Sequence, residues 1–267
     1  MLVMSCAFLT VVAISPAIGQ DNSKRILRVN GAGMASDQVE EWATQFMEKR
    51  PEITVSVIVS SAQRGFLSIV DGTADIGMLS RELTPDERKQ AAEKGLQISE
   101  QPVGHTAIAL ITNPRNPVNE LTFDQLRKLY TGEYDNWKLV GGPDEPIMCL
   151  TRRVPESGGA VFFQEKVLAG KPFGSATVIS DRWYTIVNRC TESRVLPIGI
   201  VPHTRVTNKV KSLRIKADDT SPAVAPSQAN VKSQTYPITL SFSFIWNAQS
   251  KDPVVQSFVD FCKSQGS

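Results

Sequence analysis

The residues best equipped for chemistry lie between 152 and 159: Arg152-Arg153-Val154-Pro155-Glu156-Ser157-Gly158-Gly159. Two guanidinium groups offer forked N–H donors that match an oxyanion. Ser157 adds a hydroxyl, and Gly158 and Gly159 let backbone N–H groups approach a ligand closely. The apolar run at 146–150 predicts a buried strand before this loop, and 160–168 predicts a helix after it. A loop entering a helix through Ser-Gly-Gly gathers unpaired N–H groups and the positive end of the helix dipole around one point. That is an anion site in outline. The plainer reading is an ordinary turn with a serine N-cap and surface arginines, so the assignment depends on similar loops elsewhere.

Such loops recur. A short strand at 26–29 runs into Gly31-Ala32-Gly33-Met34-Ala35-Ser36, and Ser36 or Asp37 caps a helix carrying Val39, Trp42, Ala43, Phe46 and Met47 at helical spacing. The β-branched run 53–59 predicts a second strand, ending in Ser60-Ser61-Ala62-Gln63-Arg64-Gly65 before a helix with Phe66, Ile69 and Val70. A third strand, within 72–79, ends at Ser80-Arg81, and Thr84-Pro85-Asp86-Glu87 opens a helix that Gly95 closes. Residues 105–112 predict a long strand able to carry the chain from one lobe to another. Beyond it lie a capping box at Thr122-Phe123-Asp124-Gln125, the 146–150 strand, helices at 160–168 and 181–190, and a short strand at 196–201. Residues 218–234 read as a surface loop, 236–245 as the returning strand, and 252–262 as a final helix. Alternating strands and helices imply an α/β protein with mainly parallel sheets, whose ligand loops gather at the carboxyl ends of strands. The loops at 31–36, 60–65, 79–81 and 152–159 all occupy that position.

The chain has 267 residues and a formal net charge of +2, so bulk electrostatics give no case for nucleic-acid binding. Its two histidines, His105 and His203, form no ligand spacing with cysteine; neither metal nor cofactor is expected. Residues 1–19 read as a secretory signal peptide: an apolar centre followed by Ala17-x-Gly19 and a polar turn. Export permits a disulfide among Cys149, Cys190 and Cys262; Cys149–Cys190 is one candidate, and buried free thiols stand equally open. Pairing Ser157 with His105 or His203 would make a hydrolase, but no nucleophile-elbow motif or orienting acid accompanies it, so no enzyme is expected. His203, after Pro202, reads as an exposed loop residue, and the four tryptophans as packing residues.

Together the pieces resemble the phosphate-binding proteins of bacterial ABC transporters. The marks are Gly31-Ala32-Gly33, 72–77, Ser80-Arg81, 113–118, the 121–126 helix start, Tyr130 to Glu133 with Asn136-Trp137, Arg153 with Ser157-Gly158, and Tyr236-Pro237-Ile238. The resemblance implies a two-lobed, type II-like periplasmic-binding-protein fold, each lobe a mainly parallel sheet flanked by helices, joined by two crossing strands. One lobe would hold 24–108 plus 236–267 and the other 109–235. It implies a periplasmic or otherwise secreted monomer that captures phosphate or a related oxyanion for ABC-type uptake, with a transporter permease as partner.

By position, the resemblance maps the ligand contacts onto Ala35, Ser36, Ser61, Ala62, Ser80, Arg153, Ser157, Gly158 and Gly159. Arg152 is then the solvated neighbour, because adjacent strand residues face opposite ways. Ala35, Ala62 and Gly159 stand where the family has hydroxyl side chains. Each lost hydrogen bond to a charged ligand costs about 1.5–3 kcal/mol if nothing replaces it. The alternative is the same fold used as a sensory or protein-interaction module with weak or altered anion binding.

Overall fold

The computed structural model describes residues 24–154, 156–192 and 194–266; the expected signal peptide, 1–19, lies outside the described residues. Three strand–helix units come first: β1 (Arg25–Ala32) with α1 (Ser36–Lys49), β2 (Ile53–Ser60) with α2 (Ala62–Val70), and β3 (Ile76–Leu79) with α3 (Pro85–Glu93). β4 (Ile98–Thr112) leaves this lobe for the second. There the chain forms β5 (Glu120–Thr122), α4 (Phe123–Thr131), β6 (Ile147–Arg152), α5 (Gly158–Lys166), β7 (Val178–Ser180) and α6 (Trp183–Glu192). β8 (Leu196–Pro202), β9 (Lys211–Ser212), β10 (Arg214–Lys216) and α7 (Gln228–Lys232) follow. β11 (Thr239–Asn247) and α8 (Pro253–Gly266) return to the first lobe. Both predicted capping boxes form, at Thr84/Glu87 and Thr122/Gln125.

Strands run in the order β2-β1-β3-β11-β4-β8-β6-β7. The outer strands of each lobe are parallel, as expected, but β11 is antiparallel to β3 and β4, and β4 to β8. Antiparallel pairing at the junction arises because these strands arrive from the other lobe and not through a crossover helix. β4 changes partner midway: Ala107 is its last residue opposite β11, and Ile108 its first opposite β8.

β4 begins at Ile98, seven residues before the expected start. Its first half contains Pro102, which cannot donate to the ladder. It is accommodated because Gly104 faces Phe242 while Pro102 faces Ser243, so Val103 bulges out of register. The returning strand starts at Thr239, not Tyr236; Tyr236 packs in the second lobe and donates its hydroxyl to the Ile108 carbonyl at 2.9 Å. The segment taken as a surface loop contains α7, too short for its periodicity to show, and Val224, which bridges to Ile215.

Each sheet is buried on both faces. Leu27, Val29, Trp42, Phe46, Phe242 and Phe258 lie between the first sheet and α1 and α8, whereas Phe66 and Ile69 of α2 pack on Leu79 and Ile245 on the other face. In the second lobe the alternation along β4 sends Ile108 and Leu110 to one core and Ala109 and Ile111 to the other. Cys149, Cys190 and Cys262 are buried free thiols, so the candidate Cys149–Cys190 disulfide does not form.

Candidate functional site

Four loops meet where the lobes touch. Gly31, at φ 148°, lets the end of β1 cross close to β3: a Cβ there would fall 2.2 Å from the Met78 carbonyl oxygen. Gly65 likewise seats α2 directly on the sheet, 2.9 Å being all a Cβ would leave to the Asn30 carbonyl oxygen. This close seating brings the N-terminus of α2 to the lobe junction. Ser61 caps α2 by accepting from the Arg64 N–H at 3.2 Å, and Ala62 follows, buried.

From the other lobe, Ser157 caps α5, accepting from the Ala160 N–H at 3.3 Å. Ser157 therefore keeps its serine oxygen engaged with the helix, and among the described residues neither histidine hydrogen-bonds to it. Gly158 faces Ser80 across the junction; a Cβ on Gly158 would lie 2.7 Å from the Ser80 Oγ. Gly159 faces Met34, whose Sδ would be 2.5 Å from a Cβ at that position. The hydroxyl side chain missing at 159 thus has a physical cause, because the Met34 thioether takes its place.

Met34 belongs to a loop of the first lobe but is buried in the core of the second. Its carbonyl accepts from Thr106 Oγ1 at 3.0 Å. Ala35 and Ser36 are buried behind it, and Ser36 turns its hydroxyl onto the Gly33 carbonyl at 3.1 Å. Neither Ala35 nor Ser36 lines the space between the loops; Ala32, Gly33 and Met34 do.

The arginines exchange the expected places. Arg153 is exposed and lines neither opening at the junction, while Arg152 lines both. β6 ends at Arg152, whose guanidinium stacks on Trp183 at 5.1 Å. Its Nε is buried with no hydrogen-bond partner. Burial lowers its pKa, partly offset by the nearby Asp181 and Glu156 carboxylates. A cation held this way, desolvated and with a donor unmet, is primed to take an anion.

Two spaces adjoin. The inner one, bounded by Met34, Ser61, Ala62, Ser80, Arg152, Ser157, Gly158 and Gly159, measures only ≈ 10 Å³. It opens beside a cleft of ≈ 1170 Å³ that shares Ser61, Ala62, Ser80, Arg152 and Gly158 with it. On the cleft's first-lobe wall Arg81 is paired bidentately with Glu87 at 2.8 Å, and its pKa is raised by that hydrogen bond. The second-lobe wall carries Phe162, Trp183 and Tyr184.

At the edge of the cleft, which Arg205 also lines, the lobes are tied at α1. Asp37 accepts from Thr204 Oγ1 at 2.7 Å and pairs with the Arg205 guanidinium. The adjacent His203, expected to be exposed, is buried. Its Nδ1 accepts from the Ala107 N–H at 3.3 Å, and its Nε2 lies 3.0 Å from Gln228 Oε1. Spacing alone gave no sign of Met34, Trp183, Asp37, His203 or Arg205. The one available signal was an apolar methionine inside a glycine loop otherwise suited to an anion.

A family model described as the PBP superfamily domain matches residues 13–265. The phosphate-binding protein PstS of Bacillus subtilis is 25% identical over 252 residues, covering 93% of this chain and 79% of the relative. Protein SphX of Synechococcus elongatus is 26% identical over 248 residues, covering 89% and 73%. Among solved structures, a protein assigned as a phosphate ABC transporter substrate-binding protein, from Clostridium perfringens with bound phosphate, superposes with a TM-score of 0.75. It is 26% identical and covers 89% of this chain and 92% of that one.

Proposed function

Since the chain belongs to the PBP superfamily and is similar to phosphate-binding members of it, we propose that it is an exported solute-binding protein. In this reading it captures phosphate or a related oxyanion between its lobes and delivers it to an ABC-type permease. The observation that carries the reading is convergence. Ser61, Ser80 and Arg152, together with the N-termini of α2 and α5, meet around one point at the lobe junction. Arg152 replaces Arg153 as the charged arm, and Ala35 and Ser36 drop out of the contact set. In this reading the lobes are 24–108 plus 236–267 and 109–235; the change of partner along β4 supports the first boundary, whereas the packing of Tyr236 and Ile238 in the second-lobe core moves the return point to β11.

Export rests on the sequence of residues 1–19; no helix among the described residues is long and apolar enough to cross a membrane. Among the described residues Ser61 and Ser157 each accept from a backbone N–H of the helix they cap, which supports binding as the reading. Isothermal calorimetry with orthophosphate, sulfate and phosphomonoesters tests it on the wild type and on Arg152→Ala. Saturable binding that Arg152→Ala weakens about 10- to 100-fold is expected, and no response to any of these oxyanions would refute the reading.

A further inference from the structure

We propose that the natural ligand is a phosphomonoester with an uncharged, apolar or aromatic body, not free orthophosphate; this rests on the anion-binding reading above. The inner space, ≈ 10 Å³, is at the lower edge of the roughly 10–15 Å³ that a single water needs, so it does not enclose a tetrahedral anion. Met34 fills the volume that a fully surrounded anion would need, and Gly159 is shaped to receive it. The side chains at 35, 62 and 159 supply no hydroxyls. Enclosing orthophosphate requires donors to four oxygens from all sides. A monoester presents three terminal oxygens and turns its fourth, bridging oxygen toward its body, so donors on one side suffice.

That one side exists. Ser61, Ser80, Arg152 and the α5 N-terminus all border the outer cleft as well as the inner space. An anionic head held there leaves its body in a cleft of ≈ 1170 Å³, above the range of about 300–1,000 Å³ typical of small-molecule sites. The walls beside that body are Phe162, Trp183 and Tyr184, the last 55% exposed. Such an aromatic surface facing an open cleft suits an apolar or planar group. Charges of both signs line the same cleft, Arg64, Arg81, Arg182 and Arg205 against Asp86, Glu87, Glu156, Glu165 and Asp181, so its walls favour neither a cationic nor an anionic body and suit an uncharged one.

Calorimetry on the full protein with phenyl phosphate and with orthophosphate decides it. Phenyl phosphate is expected to bind at least tenfold more tightly. Tyr184→Ala, at an exposed position the fold tolerates, and Trp183→Ala should each lower phenyl phosphate affinity at least tenfold more than orthophosphate affinity. Met34→Ala should narrow the preference by admitting orthophosphate. Equal or tighter orthophosphate binding in the wild type would overturn this proposal and leave the anion-binding reading intact. A preference surviving both aromatic substitutions would also overturn it. Absence of heat with either probe would overturn both.

Discussion

Thr204 of the second lobe donates a 2.7 Å hydrogen bond to Asp37 in the first turn of α1, and Arg205 pairs with the same carboxylate. The carboxylate also lies in the first turn of α1, at the positive end of the helix dipole. The contact spans the lobes at the edge of the cleft, whose lining includes Arg205, and it stabilises closure. Exposed ion pairs contribute about 0–1 kcal/mol. Asp37→Ala should therefore weaken ligand binding by no more than about tenfold. Small-angle scattering should show a larger radius of gyration in the ligand-free variant, and an unchanged radius would count against the latch.

Met34 and Gly159 should behave as one unit. Gly159→Thr places a Cβ within 2.5 Å of the Met34 Sδ, in a buried setting. Overpacking of that kind costs about 1–3 kcal/mol. Met34→Ala alone loses packing, but the double variant should recover much of the cost of Gly159→Thr. Urea unfolding of the four proteins in a double-mutant cycle measures the coupling, and additive losses would rule it out.

Arg152 and Arg153 should separate cleanly. Arg152→Ala removes a desolvated donor at the junction and should weaken oxyanion binding about 10- to 100-fold, the value of a hydrogen bond to a charged group. Arg153→Ala, at an exposed position, should leave affinity within about twofold, as surface substitutions usually do. The reverse result in calorimetry would restore the assignment made from the sequence.

His203 should make stability fall at mildly acidic pH. Burial lowers its pKa, offset in part by Gln228 and Asp37, while the Ala107 N–H donates to an unprotonated Nδ1. The unfolded chain then binds the proton first as pH drops, so the stability this histidine contributes is present above about pH 6.5 and is lost below it. Denaturation midpoints between pH 7.5 and pH 5 (values about one unit either side of the ordinary histidine pKa) should decline less steeply in His203→Gln than in the wild type.

Cys149 and Cys190, their pKa values pushed up to about 12 by burial, should resist alkylation in the native protein. Cys262, also raised by burial, should behave alike. Peptide mapping after iodoacetamide at pH 8 should find all three modified only under denaturing conditions. Rapid native labelling at any of them would contradict the packing.

Much of this architecture was legible from residue order, and the exceptions share a cause. The strand–loop–helix units, both capping boxes and the four converging loops follow from local patterns that tertiary packing had no reason to override. The first half of β4 was not legible because the bulge that admits Pro102 is a two-strand property, visible only once Phe242 and Ser243 are opposite. The choice between Arg152 and Arg153 turned on the phase of β6, which depends on where its pairing with β7 ends, at Arg152↔Ser180. Alternation says that one arginine faces inward but not which. His203 looked like a loop residue because its burying partners, Thr106, Ala107 and Gln228, are far away in sequence. Met34 is the deepest case. Its place depends on the meeting of two lobes, and no short window contains both sides.

β11 occupies the slot between β3 and β4 in the first sheet, although it is made after the entire second lobe. During synthesis the second lobe, an unbroken stretch of chain, has all its strands before the first lobe has its central one. Until residue 247 emerges, β3 and β4 keep facing edges with no neighbour between them, and every pairing that closes the gap is long-range. Assembly therefore has a built-in order: the inserted lobe can condense early, and the outer lobe waits for its keystone. The site between them, which needs both, is the last thing the folding chain acquires.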